Sequence, residues 1–156
     1  MSADPRSVAD AFYGAFARRE GAAMAALYSD NATFSDPVFP GLRGAEVGSM
    51  WKMLTERSRD FRLTHKIVEV KGNVVVVDWE AHYTFSATGR SVHNIIRGEL
   101  TIENGKIVAH VDHFDLYRWM RMALGPKGVL LGWLPPVQAA LRGKARAGLV
   151  DYMNKH

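Results

Sequence analysis

Cysteine is absent from all 156 residues. That excludes a disulfide framework, a thiolate zinc centre and a cysteine nucleophile. It is also compatible with a reducing compartment. No apolar run is long enough to span a membrane. The opening MSADPRSVADAF lacks the apolar stretch of a secretory signal, so a cytoplasmic location is expected. The glycine-rich stretches read as ordinary turns, so no phosphate cradle is expected, and no GxSxG nucleophile elbow occurs. Six histidines are present, but none sits in an HxH or HExxH context. No metal and no cofactor is expected. A charge excess is nearly missing too. Lys and Arg number 20 against 16 Asp and Glu, and the surplus falls in residues 127–156, where Lys127, Arg142, Lys144, Arg146 and Lys155 face Asp151 alone. A balanced body with a basic tail argues against a nucleic-acid partner.

What is present is an ordinary globular composition, 47% hydrophobic and 23% charged, in a length suited to one core. Ser2 or Asp4 can cap a first helix opening at Pro5. Val8, Phe12, Ala15 and Phe16 then recur at helical spacing. Gly21 breaks the run. A short second helix is expected with Met24, Leu27 and Tyr28 on one side. Residues 32–35 read as a short strand. Gly41 and Gly44 bracket a loop, and a third helix over about 45–57 buries Val47, Met50, Trp51 and Leu54.

From Phe61 the period changes to two. In VDWEAHYTF, residues 77–85, Val77, Trp79, Ala81, Tyr83 and Phe85 alternate with polar residues, the mark of a strand with one buried face. Turns at Lys71-Gly72-Asn73, at 87–90 and at Asn104-Gly105 divide residues 61–114 into a four-stranded antiparallel meander. Helices followed by a meander predict an α+β fold with helices laid on one face of a curved sheet. Residues 115–124 read as a further helix that Gly125-Pro126 ends. Pro135-Pro136 precedes a last one over about 137–153, with Val137, Leu141, Leu149 and Met153 on one side.

The polar residues among apolar neighbours are the candidate site. Asp36 stands before Pro37, Val38 and Phe39. It is either a turn residue or a buried general base whose pKa is raised by its surroundings. Asn94 is the one polar residue on the apolar side of its strand, either a satisfied core amide or a donor to a ligand carbonyl. His110 and Asp112 share a face, and alternation alone turns that face toward water, because Ile107, Ala109 and Val111 make the opposite face more apolar. His82 and His93 lie on the wet side of their strands, suited to solvent or a dimer interface. Trp51, Trp79, Tyr83 and Phe114 are core aromatics that would also wall a pocket for a greasy ligand.

In LYSDNATFSDP, LRGAEV and ENGKIVAHVDHFD the chain resembles the SnoaL-like and nuclear-transport-factor-two-like superfamily. The resemblance covers residues 5–124. It implies a cone of curved mixed or antiparallel sheet around the N-terminal helices, a pocket within it and a homodimer through the sheet. It divides the chain into a domain over 1–124 and a helical extension over 125–156, packed on the domain or its mate in preference to a membrane. It also implies that His110 and Asp112 face inward. Asp36-Pro37-Val38 matches the general base of ketosteroid isomerases. Their helix-borne tyrosine falls at Phe12, with Tyr13 one position off, and their oxyanion aspartate falls at Arg97 or Gly98. Asp112 matches the last aspartate of limonene epoxide hydrolases, but the Arg-x-Asp of that family falls at Trp79-x-Ala81, and its water-holding tyrosine and asparagine fall at Phe34 and Asp36. The resemblance therefore implies a cofactor-independent enzyme moving protons on a hydrophobic carbonyl compound. Asp36, Asp112 and His110 would be the acid–base groups, with Asn94, Phe12, Tyr13, Trp51, Trp79, Tyr83 and Phe114 around the ligand. The alternative is a binding or dimerisation module of the same fold without turnover.

Overall fold

The computed structural model describes residues 4–156. Asp4 caps the first helix, α1 (Pro5–Ala17), by accepting the Ser7 N–H at 2.8 Å, which satisfies one of the orphan donors of the first turn. Ser2, the other candidate cap, lies outside the described residues. The helical spacing puts Val8, Phe12, Tyr13, Ala15 and Phe16 on the buried side, and each large side chain so placed contributes about 1.5–3 kcal/mol.

The second helix, α2 (Gly21–Ala26), is shorter than its apolar pattern suggests. Tyr28 belongs instead to a strand, β1 (Tyr28–Ser35), where it pairs with Ile107. β1 is thus longer than the expected 32–35, and its register against β6 shifts between Tyr28 and Thr33, which hides the early part from an alternating pattern. The loop between Gly41 and Gly44 contains a two-residue strand, β2 (Leu42–Arg43), paired with Thr33 and Phe34. Helix α3 (Ala45–Arg57) buries Val47, Met50 and Trp51.

The meander is β3 (Arg62–Lys71), β4 (Val74–Phe85), β5 (Arg90–Glu103) and β6 (Lys106–His113). The sheet order is β2-β1-β6-β5-β4-β3. All neighbours run antiparallel except β1 and β6, which are parallel. This six-stranded mixed sheet does not close into a barrel. Its concave side carries Val75, Val77, Trp79 and Ala81 of β4 and Val92, Asn94, Ile96, Leu100 and Ile102 of β5. Against these packs α1, while α3 packs on β1 and β2.

On β6 the alternation is interrupted. Thr101 pairs with Ala109 but the next residue, Ile102, pairs with Ile107, so Val108 is an inserted residue. Such a bulge flips the parity of the strand. Ile107, His110 and Asp112 therefore all face inward, while Val111 is exposed.

After β6 come α4 (Leu116–Leu124), α5 (Pro126–Leu131) and α6 (Pro135–Lys155). The short α5 lies between the two expected helices. Pro135 and Pro136 are the first residues of α6 itself, where a missing N–H and a preset φ suit the first turn. α6 bridges two apolar clusters. Val137 and Leu141 join the one around Trp119 and Met120, while Leu149, Tyr152 and Met153 join the main core. On the way, Arg142 Nε donates to the Pro37 carbonyl at 2.8 Å, so the helix passes over the Asp36 loop. Among the described residues no helix is long and apolar enough to cross a membrane.

Candidate active site

Asp36 follows directly on β1 and is both a turn residue and a half-buried acid. Its Oδ1 accepts the N–H of Val38 at 2.7 Å and of Phe39 at 2.6 Å, and its own N–H donates to the Phe39 carbonyl. The turn uses one carboxyl oxygen and leaves the other uncommitted. Burial raises this carboxyl from 3.8 to about 6. The Phe39 and Val38 N–H groups and His110 pull it down, and the Asp112 charge adds to the rise.

Behind Asp36 runs a buried polar chain. Trp51 Nε1 donates to the Tyr28 hydroxyl at 2.8 Å, and that hydroxyl lies 2.7 Å from His110 Nδ1. His110 Nε2 lies 2.9 Å from Asp112 Oδ1. The order of donors decides the tautomer. An indole N–H can only donate, so the Tyr28 oxygen accepts it and directs its single proton to His110 Nδ1. The proton of a neutral His110 then sits on Nε2 and is donated to Asp112. The ring is clamped by Phe12, Phe34 and Trp51, with centroids at 5.5, 4.9 and 6.2 Å.

Gly98, opposite Asp112 on β5, makes this arrangement possible. A Cβ there would lie 2.7 Å from Asp112 Oδ1 and 2.8 Å from the Tyr13 hydroxyl. The two groups share space that only glycine leaves open. Tyr13 is buried, its hydroxyl has no hydrogen-bond partner, and Trp79 Nε1 is likewise unpartnered. Burial first, and then the Asp112 charge, push the Tyr13 phenol well above its ordinary value.

A second polar group lies near enough to Asp36 to feel its charge. Trp119 Nε1 donates to the Tyr83 hydroxyl at 2.7 Å, which leaves the phenolic proton free. Burial raises Tyr83, the Trp119 bond lowers it, and the Asp36 charge raises it again. Tyr83, Val38 and Phe114 are half-buried and belong to both apolar clusters, so the seam between the clusters runs past Asp36.

The sequence-predicted residues thus divide by depth. Phe12, Tyr13, Trp51, Trp79, His110 and Asp112 are interior. Asp36, Tyr83 and Phe114 lie at the seam, and Asn94 is buried on β5, paired in register with Ala81. The expectation that alternation turns His110 and Asp112 to water is corrected by the bulge at Val108. Arg97 points outward in a two-bonded pair with Asp78 at 2.7 and 2.9 Å, so Gly98 is the inward residue at that place. Tyr28 was missed because it was assigned to a helix, and Trp119 because it was one aromatic among many. The concave interior is filled by rings. Open hollows of about 510 and 490 Å³ lie beside Thr64, Asp78 and Arg97 and beside Arg62, Tyr83 and His93.

A model of the SnoaL-like domain matches residues 9–110. No curated protein matches the chain. Among solved structures it is similar to an NTF2-like protein of unknown function from Burkholderia pseudomallei, at 20% identity over 78% of this chain and 98% of that one, with a TM-score of 0.67. It is also similar to an LEH-like epoxide hydrolase of M. tuberculosis, at 18% identity over 84% and 96%, TM-score 0.62. A putative polyketide cyclase from Silicibacter sp. TM1040 aligns at 14% identity over 76% and 93%, TM-score 0.67. At these identities the structural likenesses speak for the fold. The family match spans well over half of the chain, and it makes this protein a member of the SnoaL-like domain family.

Proposed function

We propose that the protein is a cofactor-independent enzyme that moves a proton on a hydrophobic carbonyl compound. The observation that carries this reading is the Asp36 carboxyl, with one oxygen fixed by the turn, the other free, and a pKa of about 6. Such a group is ionised at neutral pH yet more basic than an ordinary aspartate, as a general base requires. The ligand would lodge at the seam, against Val38, Tyr83 and Phe114. Asp36 would take a proton from the carbon next to the carbonyl. The C–H electron pair passes into a new carbon–carbon double bond, and the carbonyl oxygen becomes an oxyanion. The free proton of Tyr83 would stabilise that oxygen, with Trp119 holding the phenol. The proton then returns to the same or another carbon. His110 and Asp112 would act through Asp36: the buried Asp112 charge helps keep its pKa high. The names of the epoxide hydrolase and cyclase neighbours are consistent with small-molecule chemistry in this fold, and no more than that.

The test is solvent deuterium exchange. Hydrophobic cyclic ketones incubated with the full chain in D2O should gain deuterium next to the carbonyl, followed by NMR. Asp36→Asn keeps the turn acceptor and should lose exchange while retaining ligand binding. Exchange that persists in Asp36→Asn overturns the role of Asp36. A second reading, a binding module without turnover, is favoured by the ring-filled interior. It predicts no exchange with the wild type on any ketone that binds.

A further inference from the structure

We infer that Glu80, His82 and His93 form a site for a borderline divalent metal such as Zn2+ on the outer face of the sheet. β4 and β5 run antiparallel, with His82 directly opposite His93. Glu80 precedes His82 by two residues, so it projects from the same face. The two imidazoles stack at 4.0 Å with 13° between planes, and His93 Nε2 lies 2.7 Å from Glu80 Oε1. One ligand atom from each of the three lies within 4.8 Å of the others.

Metal–ligand bonds of about 2.0–2.2 Å would draw these atoms closer together. Glu80 and His82 are exposed and His93 is half-buried, so rotation of side chains at the surface can close that gap without moving the strands. Two imidazoles and one carboxylate, with the remaining positions open to water, suit zinc, nickel or copper better than magnesium or calcium. Among the described residues, His65 and His113 each pair with a single carboxylate, Asp10 and Glu99. Arg62, opposite His82 on β3, is a like charge beside the site, balanced by Asp60, which is anchored on Thr84. A micromolar affinity is therefore expected. The spacing of the histidines along the chain could not reveal this trio, because the second imidazole comes from the neighbouring strand.

Zn2+ should be titrated into the full chain near neutral pH by calorimetry. One equivalent should bind. Loss of a supporting group alone weakens metal sites about tenfold or more, so His82→Gln and His93→Gln should each weaken binding by at least that factor, with unchanged far-UV circular dichroism. His65→Gln and His113→Gln should bind as the wild type does. Absence of saturable Zn2+ binding, or equal binding by the His82 and His93 variants, overturns the site.

Discussion

Replacing Asp36 by asparagine should make the protein more stable while removing its proposed chemistry. The carboxyl is raised from 3.8 to about 6, first by burial. A shift of that size disfavours the ionised form in the folded state by about 3 kcal/mol. The sign follows from linkage. Below pH 4 the group is protonated in both folded and unfolded chains, and its favourable state is intact. Between about 4 and 6 the unfolded chain ionises while the folded one resists, so stability falls as pH rises. Above about 6 both are ionised and the loss is complete. Asparagine has no such loss, and its Oδ1 can accept the same Val38 and Phe39 N–H groups. The variant should match the wild type near pH 4 and exceed it by about 2–3 kcal/mol at pH 8, or roughly 5–10 °C in Tm for a chain of this size. Urea denaturation of both proteins from pH 4 to 8 measures the difference. A difference that stays flat with pH, or a less stable Asp36→Asn at pH 8, would refute the view that the fold holds this carboxylate at a cost.

Tyr28→Phe strips the hydroxyl between Trp51 and His110 and leaves their ring nitrogens unpaired, costing about 1–3 kcal/mol. Imidazole 15N spectra should show His110 as the Nε2–H tautomer in both proteins, because Asp112 still accepts from Nε2, with the Nδ1 resonance alone shifted in the variant by loss of its donor. Gly98→Ala would drive a methyl against Asp112 Oδ1 and the Tyr13 hydroxyl, and should lower stability by about 1–3 kcal/mol in a thermal melt. Leu149→Ala, at a side chain 1% exposed, should cost about 2–5 kcal/mol. A cost near zero would show that α6 is not anchored on the core.

The composition, the change of period at Phe61 and the turn residues were enough to set out an α+β chain with a four-stranded meander, because those features act within a few neighbours. They also singled out Asp36, and they left open whether it was a turn residue or a buried acid. The fold makes it both, since one carboxyl oxygen bonds the turn while the group as a whole is removed from water. Register was not legible in the same way. One inserted residue at Val108 reverses which face of β6 is inward, and a bulge has no signature in a pattern of period two. The Trp51–Tyr28–His110–Asp112 chain, the Tyr83–Trp119 pair and the Glu80–His82–His93 trio join residues far apart in sequence or on different strands. Sequence determined which residues carry charge, protons and rings. Tertiary structure alone decided which of them meet, because burial and hydrogen bonding depend on strand pairing across the sheet and on how α1, α3 and α6 close against it.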